Sequence, residues 1–289
     1  MNMDDMDKVS VITICYNAEK EIEKTLVSVL NQTYEKLEYV IVDGQSKDNT
    51  LEIINSVLSK YPNRDVKLSS EPDNGIYDAM NKGIQKATGE WINFMNAGDC
   101  FFHSRTLEEM CSELCPDIDI LRGNIIRKYP KFDVKSVGVT SQSPGIMDMF
   151  NNTFHHQACL IRHMLFEKYG LYSLDYKLCS DWKFFYECVV INHVKSKYVD
   201  KTVALFSMDG ASSENALKYR MEQESFLIQV YGEELFVLLK ELQAYRKVKV
   251  FSLYCKMRTK FFDSLSPTMF NRLLTAKRFV YKLLGLNVN

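Results

Sequence analysis

The first hundred residues switch repeatedly between the period of a buried strand and the period of an amphipathic helix, and this switching restricts the fold more than any other feature. Val9 to Cys15 is an almost continuous apolar, β-branched run, as a strand covered on both faces requires. Ile22, Leu26, Val29 and Leu30 then recur at helical spacing, and Leu37 to Val42 forms a second apolar run that stops at Asp43-Gly44. Ser46 to Asn49 supplies capping side chains for a helix with Leu51, Ile54, Val57 and Leu58 on one face. Val66 to Ser69 reads as a short strand, Ile76, Met80, Ile84 and Ala87 as another helix face, and Trp91 to Met95 as a strand entering the turn Asn96-Ala97-Gly98-Asp99. The order βαβαβαβ predicts an α/β fold, a Rossmann-like, mostly parallel sheet flanked by helices.

Polar residues gather where these strands end: Tyr16-Asn17, Asp43, Glu71-Asp73-Asn74 and Asn96-Asp99. In an open α/β sheet that edge receives the ligand, because loops and helix N-termini converge on it. Residues 101–214 show a weaker pattern, with a loop at 141–145 and polar knots at His155-His156-Gln157 and Ser180-Asp181. Residues 215–289 read as a helical extension. Val250, Leu253, Met257, Phe261 and Leu265 form one apolar stripe, and Phe270, Leu273, Leu274, Val280, Leu283 and Leu284 a second one after Pro267.

That extension is basic. Residues 240–289 carry eleven Lys and Arg against Glu241 and Asp263, so the stretch is at +9 and the rest of the chain at −10, beneath a net charge of only −1. Basic amphipathic helices suit an anionic membrane surface, and the same pattern also suits helices that pack as a bundle with a solvated basic face. Nucleic acid is not expected, since the basic residues ride on amphipathic helices in a chain of pI near 6.5.

Several classes are excluded. The 12 glycines include no pair two, four or five positions apart, which removes the GxGxxG dinucleotide fingerprint, the GxSxG elbow and the GxxxxGK phosphate loop. The 8 cysteines have no zinc-site spacing and read as reduced core thiols. The acidic start MNMDDMDK is unlike a signal peptide and no apolar stretch is long enough to cross a bilayer, so a cytoplasmic protein is expected, peripheral at the inner face of the membrane.

Two carboxylates, Asp99 and Asp181, are the candidates for the chemistry. Asp99 closes a strand-turn segment beside small residues, where a carboxylate can reach a divalent cation shared with a diphosphate. A lone carboxylate in a turn is commonly only a turn-former, but here its surroundings are specific. They comprise Thr13-Ile14-Cys15-Tyr16-Asn17, Ser28-Val29-Leu30-Asn31-Gln32-Thr33-Tyr34, Val42-Asp43-Gly44-Gln45-Ser46-Lys47-Asp48-Asn49-Thr50, Ser70-Glu71-Pro72-Asp73-Asn74-Gly75-Ile76-Tyr77-Asp78-Ala79-Met80-Asn81-Lys82-Gly83, and Trp91 to Asp99. These ordered motifs closely resemble the family 2 glycosyltransferases, nearest to bacterial members that build O-antigen, colanic acid and other exopolysaccharides. The resemblance continues through His156-Gln157, Ser180-Asp181 and Phe206 to Ser213, and spans residues 8–225.

The resemblance implies a GT-A fold that takes a nucleotide-sugar donor, a UDP-sugar by preference, and moves the sugar with inversion to a hydroxyl of a glycan or lipid-linked glycan acceptor in bacterial surface polysaccharide biosynthesis. It divides the chain into a GT-A catalytic domain, 1–214, with a nucleotide-binding half at 1–100 and an acceptor-binding half at 101–214, followed by the basic helical region at 215–289. Donor contacts fall on Thr13, Cys15, Tyr16, Asn17, Asp43, Ser46, Asp73, Asn74, Gly75, Asp78 and Lys82. Asp99 matches the last carboxylate of the family's metal motif and would hold Mn2+ or Mg2+, with His156 as a further ligand. Asn96, Gln157 and Ser212 are assigned to the diphosphate or donor sugar. The first carboxylate of the metal motif is replaced by Asn96, so metal affinity without nucleotide should be weak. Asp181 matches the general base, and Trp182 could stack on the acceptor. Asp181 would also suit the first turn of a helix containing Phe184, Phe185 and Val189, and the two roles are compatible.

Two other readings compete. A sugar nucleotidyltransferase would want a glycine-rich N-terminal loop, and no glycine precedes Gly44. A catalytically inactive nucleotide-sugar-binding or scaffold protein at the membrane is suggested by Asn96 and opposed by the intact Asp99 and Asp181.

Overall fold

A computed structural model describes residues 8–150, 152–207 and 216–247. The first half follows the alternation in the sequence: β1 (Val9–Cys15), α1 (Ile22–Leu30), β2 (Leu37–Asp43), α2 (Thr50–Leu58), β3 (Asp65–Ser70), α3 (Ile76–Lys86) and β4 (Trp91–Phe94). Every residue of β1, β2 and β4 is buried, as their unbroken apolar runs require, whereas β3 alternates between exposed and half-buried positions at the sheet edge. β1 pairs in parallel with both β2 and β4, and β2 in parallel with β3. Their carboxyl ends therefore share one edge.

The second half contains β5 (Cys100–Phe101), α4 (Thr106–Cys111), β6 (Ile120–Lys128), β7 (Asp133–Ser136), α5 (Ile146–Met149), a 3-10 turn at His156–Ala158, β8 (Cys159–Arg162), α6 (Met164–Tyr169), α7 (Ser180–Tyr186), β9 (Ser196–Ser207) and α8 (Ala216–Lys247). Among the described residues the strands form one sheet in the order β3-β2-β1-β4-β8-β6-β9-β5, with β7 pairing β6 as a hairpin. β8 runs antiparallel to both β4 and β6, so β6 points the same way as β4 and its carboxyl end lies at the same edge.

Close packing fixes α3 on the sheet. A Cβ at Gly83 would overlap Ile12 of β1. At the opposite edge of the sheet the fully buried Glu38 accepts from Ser10, from Thr88 N at 2.7 Å and Thr88 Oγ1 at 2.6 Å, and pairs with Lys67 at 2.7 Å and Lys8 at 3.2 Å. Five donors around one carboxylate compensate its removal from water.

The chain divides into two compact units at Leu227/Ile228. Within α8 the backbone leaves helical geometry at Gly232 (φ 77°, ψ 161°). No helix among the described residues is long and apolar enough to cross a membrane. The two basic stripes beyond Val250, and Ser212, lie outside the described residues.

Candidate active site

The loop after β1 is shaped by hydrogen bonds that cross to the loop after β2. Asn17 adopts a left-handed backbone (φ 48°), donates its N–H to Ser46 Oγ at 2.8 Å, and accepts at its side-chain oxygen from Lys47 N at 2.8 Å. Asp43, the last residue of β2, is fully buried and accepts from Ser46 Oγ at 2.5 Å and Ser70 Oγ at 2.6 Å. Thr13 is also buried and donates to Met95 O at 2.6 Å. These side chains brace the sheet edge from behind.

In front of them opens a cleft of about 770 Å³ whose walls include Cys15, Tyr16, Asn17, Asp73, Gly75 and Asn96. Tyr16, 61% exposed, offers an open ring there. The expected donor residues Asn74, Asp78 and Lys82 are bonded to one another's loop: Asp78 Oδ2 accepts from Asn74 N at 2.8 Å, and Lys82 Nζ donates to Pro72 O at 2.5 Å while pairing with Asp78 at 3.4 Å. A Cβ at Gly44 would overlap the Asp73 carboxylate, so glycine allows Asp73 to close over the end of β2.

Beyond the cleft, β4 runs into a tight turn. Asp99 N donates to Asn96 O at 2.9 Å, Gly98 takes φ 101°, and Gly98 N donates to Thr25 Oγ1 at 3.0 Å. This geometry turns the Asp99 carboxylate inward, where Gln157 Nε2 donates to it at 3.0 Å and no ion pair to it forms among the described residues. Burial pushes its carboxyl up to about 7, against the pull of the nearby His156 charge and the Gln157 hydrogen bond.

His156 opens the 3-10 turn instead of lying on a strand, so that neighbouring side chains diverge. Gln157 reaches Asp99, whereas His156 Nδ1 donates to Asp181 Oδ2 at 3.0 Å and its Nε2 faces Asn96 Nδ2 at 3.4 Å. Asp181, in the first turn of α7, accepts at its other oxygen from the Tyr77 hydroxyl at 2.7 Å. Burial works against its charge, but the His156 and Tyr77 hydrogen bonds hold Asp181 below the ordinary carboxylate range. Burial likewise opposes charge on His156, and the hydrogen bond and charge of Asp181 raise it above the usual imidazole value. Two carboxylates with opposite shifts thus stand on either side of His156-Gln157.

Sequence reasoning missed Tyr77, although it sits beside Asp78 in the motif, and it missed Glu222. Glu222, in the first part of α8, accepts from the N–H groups of Lys177, Leu178 and Cys179 at 3.0, 2.9 and 3.2 Å and so fixes the segment leading into α7. The expected acceptor contact of Trp182 is corrected: its ring is fully buried against Tyr186 and Phe226, and its indole N–H donates to Met149 O at 2.9 Å. No face of that ring is free for a sugar.

A divalent metal fits the donor set. Asp99 offers a buried carboxylate, Asn96 Oδ1 is buried without a partner, and His156 presents Nε2 because Nδ1 is committed to Asp181. Among the described residues no group of three or more His, Cys, Asp or Glu could hold a metal ion by itself. Phosphate oxygens would have to complete the shell, as the substitution at Asn96 implies.

A mostly parallel sheet whose carboxyl edge holds a cleft, the buried Asp99 and the half-buried Asp181 fits the GT-A class of glycosyltransferases. The Glycosyl transferase family 2 model matches residues 10–170, and this chain belongs to that family. It is 30% identical over 211 residues to a PGL/p-HBAD biosynthesis glycosyltransferase of Mycobacterium tuberculosis, covering 71% of this chain and 78% of the relative. A glycosyltransferase of Haemophilus influenzae without an assigned role is 25% identical over 255 residues, 86% of this chain and 95% of the relative. Two solved structures share the fold. S. aureus TarS 1–349 in complex with UDP matches with TM-score 0.62 and 19% identity over 92% of this chain and 78% of that one. The mannosyltransferase PcManGT of Pyrobaculum calidifontis, in complex with GDP-Man and Mn2+, matches with TM-score 0.65 and 17% identity over 94% and 80%.

Proposed function

We propose that this glycosyltransferase is an inverting, metal-dependent enzyme that moves a sugar from a nucleotide donor, a UDP-sugar, to a hydroxyl of a lipid-linked glycan in bacterial surface polysaccharide assembly. The observation that carries the reading is the pairing of Asp99 and Asp181 through adjacent residues, Gln157 on one and His156 on the other. The nucleotide lies in the cleft against Tyr16 and Asp73, with its diphosphate toward Asn96 and Asp99.

Asp99, Asn96 and His156 would hold Mn2+ or Mg2+, which when bound offsets the negative charge that develops on the departing diphosphate. Asp181 receives the acceptor proton. Both its oxygens already accept one hydrogen bond, and each keeps a second lone pair for the incoming hydroxyl. Tyr77 and His156 fix the carboxylate's orientation and keep it anionic, as a base must be before the hydroxyl attacks. The complexes of TarS with UDP and UDP-GlcNAc support the UDP preference. The basic segment 240–289 supplies the attraction to anionic lipid at the inner membrane face, on the order of 1 kcal/mol per basic residue near the surface.

Calorimetric titration of UDP, GDP and dTDP, with and without Mn2+, tests the donor site. Metal-dependent binding of UDP in preference to the others is expected, and absence of binding by any nucleotide would overturn the assignment. Flotation with anionic and neutral vesicles tests the membrane part, where equal recovery with both refutes the electrostatic attraction.

A further inference from the structure

We propose that the β6–β7 hairpin is a binding surface for a sugar that carries an oxyanion, a phosphate or a carboxylate, on the acceptor. The proposal rests on the transferase reading above and names the chemical class of its acceptor.

The hairpin rises from the catalytic edge of the sheet, because β6 runs in the direction of β4. Its register sets Ile125 opposite Ser136 and Arg127 opposite Val134. Directly opposed residues of an antiparallel pair share a face, and so do positions two apart along a strand. Ser136, Val134 and Phe132 therefore line one face together with Arg127. At the outer end of the hairpin Tyr129 N donates to Phe132 O at 3.0 Å and the two rings stack with centroids 4.8 Å apart. At the inner end Ser136 Oγ shares a hydrogen bond of 3.0 Å with His155 Nε2, one residue from His156. The face thus leads from the immediate neighbour of the catalytic histidine out to an aromatic platform.

Arg127 lies midway along that track. Its Nε is buried with no hydrogen-bond partner, and it forms no ion pair among the described residues. A guanidinium whose Nε has no partner among the described residues matches, in its planar fork of donors, the two oxygens of a carboxylate or phosphate. Phe132 is 60% exposed and Val134 41%, a level at which apolar groups beside a charge are open to the ring of a bound sugar. The nucleotide cleft is walled by other residues, none of them from the hairpin, so this surface is separate from the donor site. Its inner end is also anchored: the buried Arg122 guanidinium donates to the carbonyls of Val139 and Ser141 in the segment that follows β7.

The experiment measures binding of glucose 6-phosphate, glucuronate and glucose to the full chain by calorimetry, for wild type, Arg127→Gln and Phe132→Ala, with a UDP titration on each sample. Expected is preference of wild type for one or both charged sugars over glucose by tenfold or more, loss of that preference in R127Q, and weaker binding of every sugar by F132A, all with unchanged UDP affinity. A stronger response to the phosphate identifies a phosphate-bearing acceptor, and a stronger response to glucuronate a uronic acid. The proposal is overturned if wild type binds no charged sugar, if glucose binds equally well, if R127Q retains the preference, or if R127Q loses UDP affinity, which would place Arg127 at the donor. Failure of the transferase reading is distinguishable, since it appears as no UDP binding by any of the three proteins.

Discussion

The Tyr77 hydroxyl donates to Asp181 at 2.7 Å across 104 positions of sequence, and this contact ties α3 to α7, the helix that bears the proposed base. One turn along α3, Asn81 grips the backbone of Tyr172 with two hydrogen bonds, Nδ2 to the carbonyl at 2.8 Å and the N–H to Oδ1 at 2.9 Å. Helix α3 is thereby hydrogen-bonded both to Asp181 and to the segment after α6 at Tyr172.

Tyr77→Phe should keep this packing and remove one donor from the base. A hydrogen bond to a charged group contributes about 1.5–3 kcal/mol, so kcat should fall by roughly ten- to a hundredfold if the loss is felt in the transition state. UDP affinity, measured by calorimetry on the same protein, should be unchanged. A parallel loss of UDP affinity would show that Tyr77 acts only by shaping the donor loop.

Asp181→Asn retains the size of the side chain and one acceptor oxygen, replaces the other oxygen with an NH2 donor, and cannot take a proton. Turnover should drop by about 10²–10⁴-fold, the range general-base catalysis supplies, with UDP binding retained. Steady-state rates with saturating donor decide the matter, and retention of more than a tenth of wild-type kcat would remove Asp181 from the base role.

Asp99→Ala should act on the other side of His156-Gln157. Without that carboxylate the set left is Asn96 and His156, too poor in charge for a hard cation. Mn2+-dependent enhancement of UDP binding should vanish, while the weak metal-free binding should persist. Calorimetry with and without Mn2+ reads both, and an undiminished metal effect would relocate the metal.

How far the sequence reveals this arrangement depends on the range of the contacts. The strands β1, β2 and β4 and the helices between them follow from period and burial, which are local properties of Val9–Cys15 or Ile22–Leu30. Asp99 and Asp181 stand out because they fall on motif positions of the family 2 resemblance, since a carboxylate in a turn or a first helical turn is otherwise commonly structural. Tyr77 does not, since its partner is fixed by how α7 folds back onto α3, and nothing near position 77 encodes that. Trp182 is misread for a related reason: a tryptophan beside a catalytic residue looks the same in sequence whether its ring faces a sugar or, as here, Phe226. The parallel pairing of β6 with β9 joins segments nearly eighty positions apart, Ile120 with Ser196 and Lys128 with Ser207, and leaves no periodic trace.

Glu222→Ala should uncap the segment that leads into α7. Three backbone N–H groups at Lys177, Leu178 and Cys179 lose their acceptor, and the start of the helix that holds Asp181 loosens. A reduction of kcat with intact UDP affinity is expected, along with a stability loss of about 1–3 kcal/mol by urea unfolding. Glu222→Gln, which keeps an acceptor oxygen, should recover most of both. If Gln behaves like Ala, the charge and not the hydrogen bonding is responsible.

Glu38 should contribute to the acid limb of stability. Burial alone would raise its carboxyl, but hydrogen bonds from Lys67, Ser10 and Thr88 hold it far below its ordinary value near 4.5. In the unfolded chain the group titrates near that ordinary value, so above it both states are ionised and the full stabilisation is present. As pH falls below about 4.5 the unfolded state takes up the proton and the folded state does not, and stability is lost progressively toward the much lower folded value. Glu38→Gln should lower stability at pH 7 by about 2–3 kcal/mol, because the ionic hydrogen bonds weaken while Lys8 and Lys67, both partly exposed, regain water. It should also flatten the decline between pH 5 and pH 3 on the order of that difference, since the titrating group is gone. Urea unfolding of both proteins across that range measures the two effects together. Parallel acid limbs for wild type and variant would mean that other carboxylates govern acid unfolding and that the buried cluster at Glu38 is uncoupled from it.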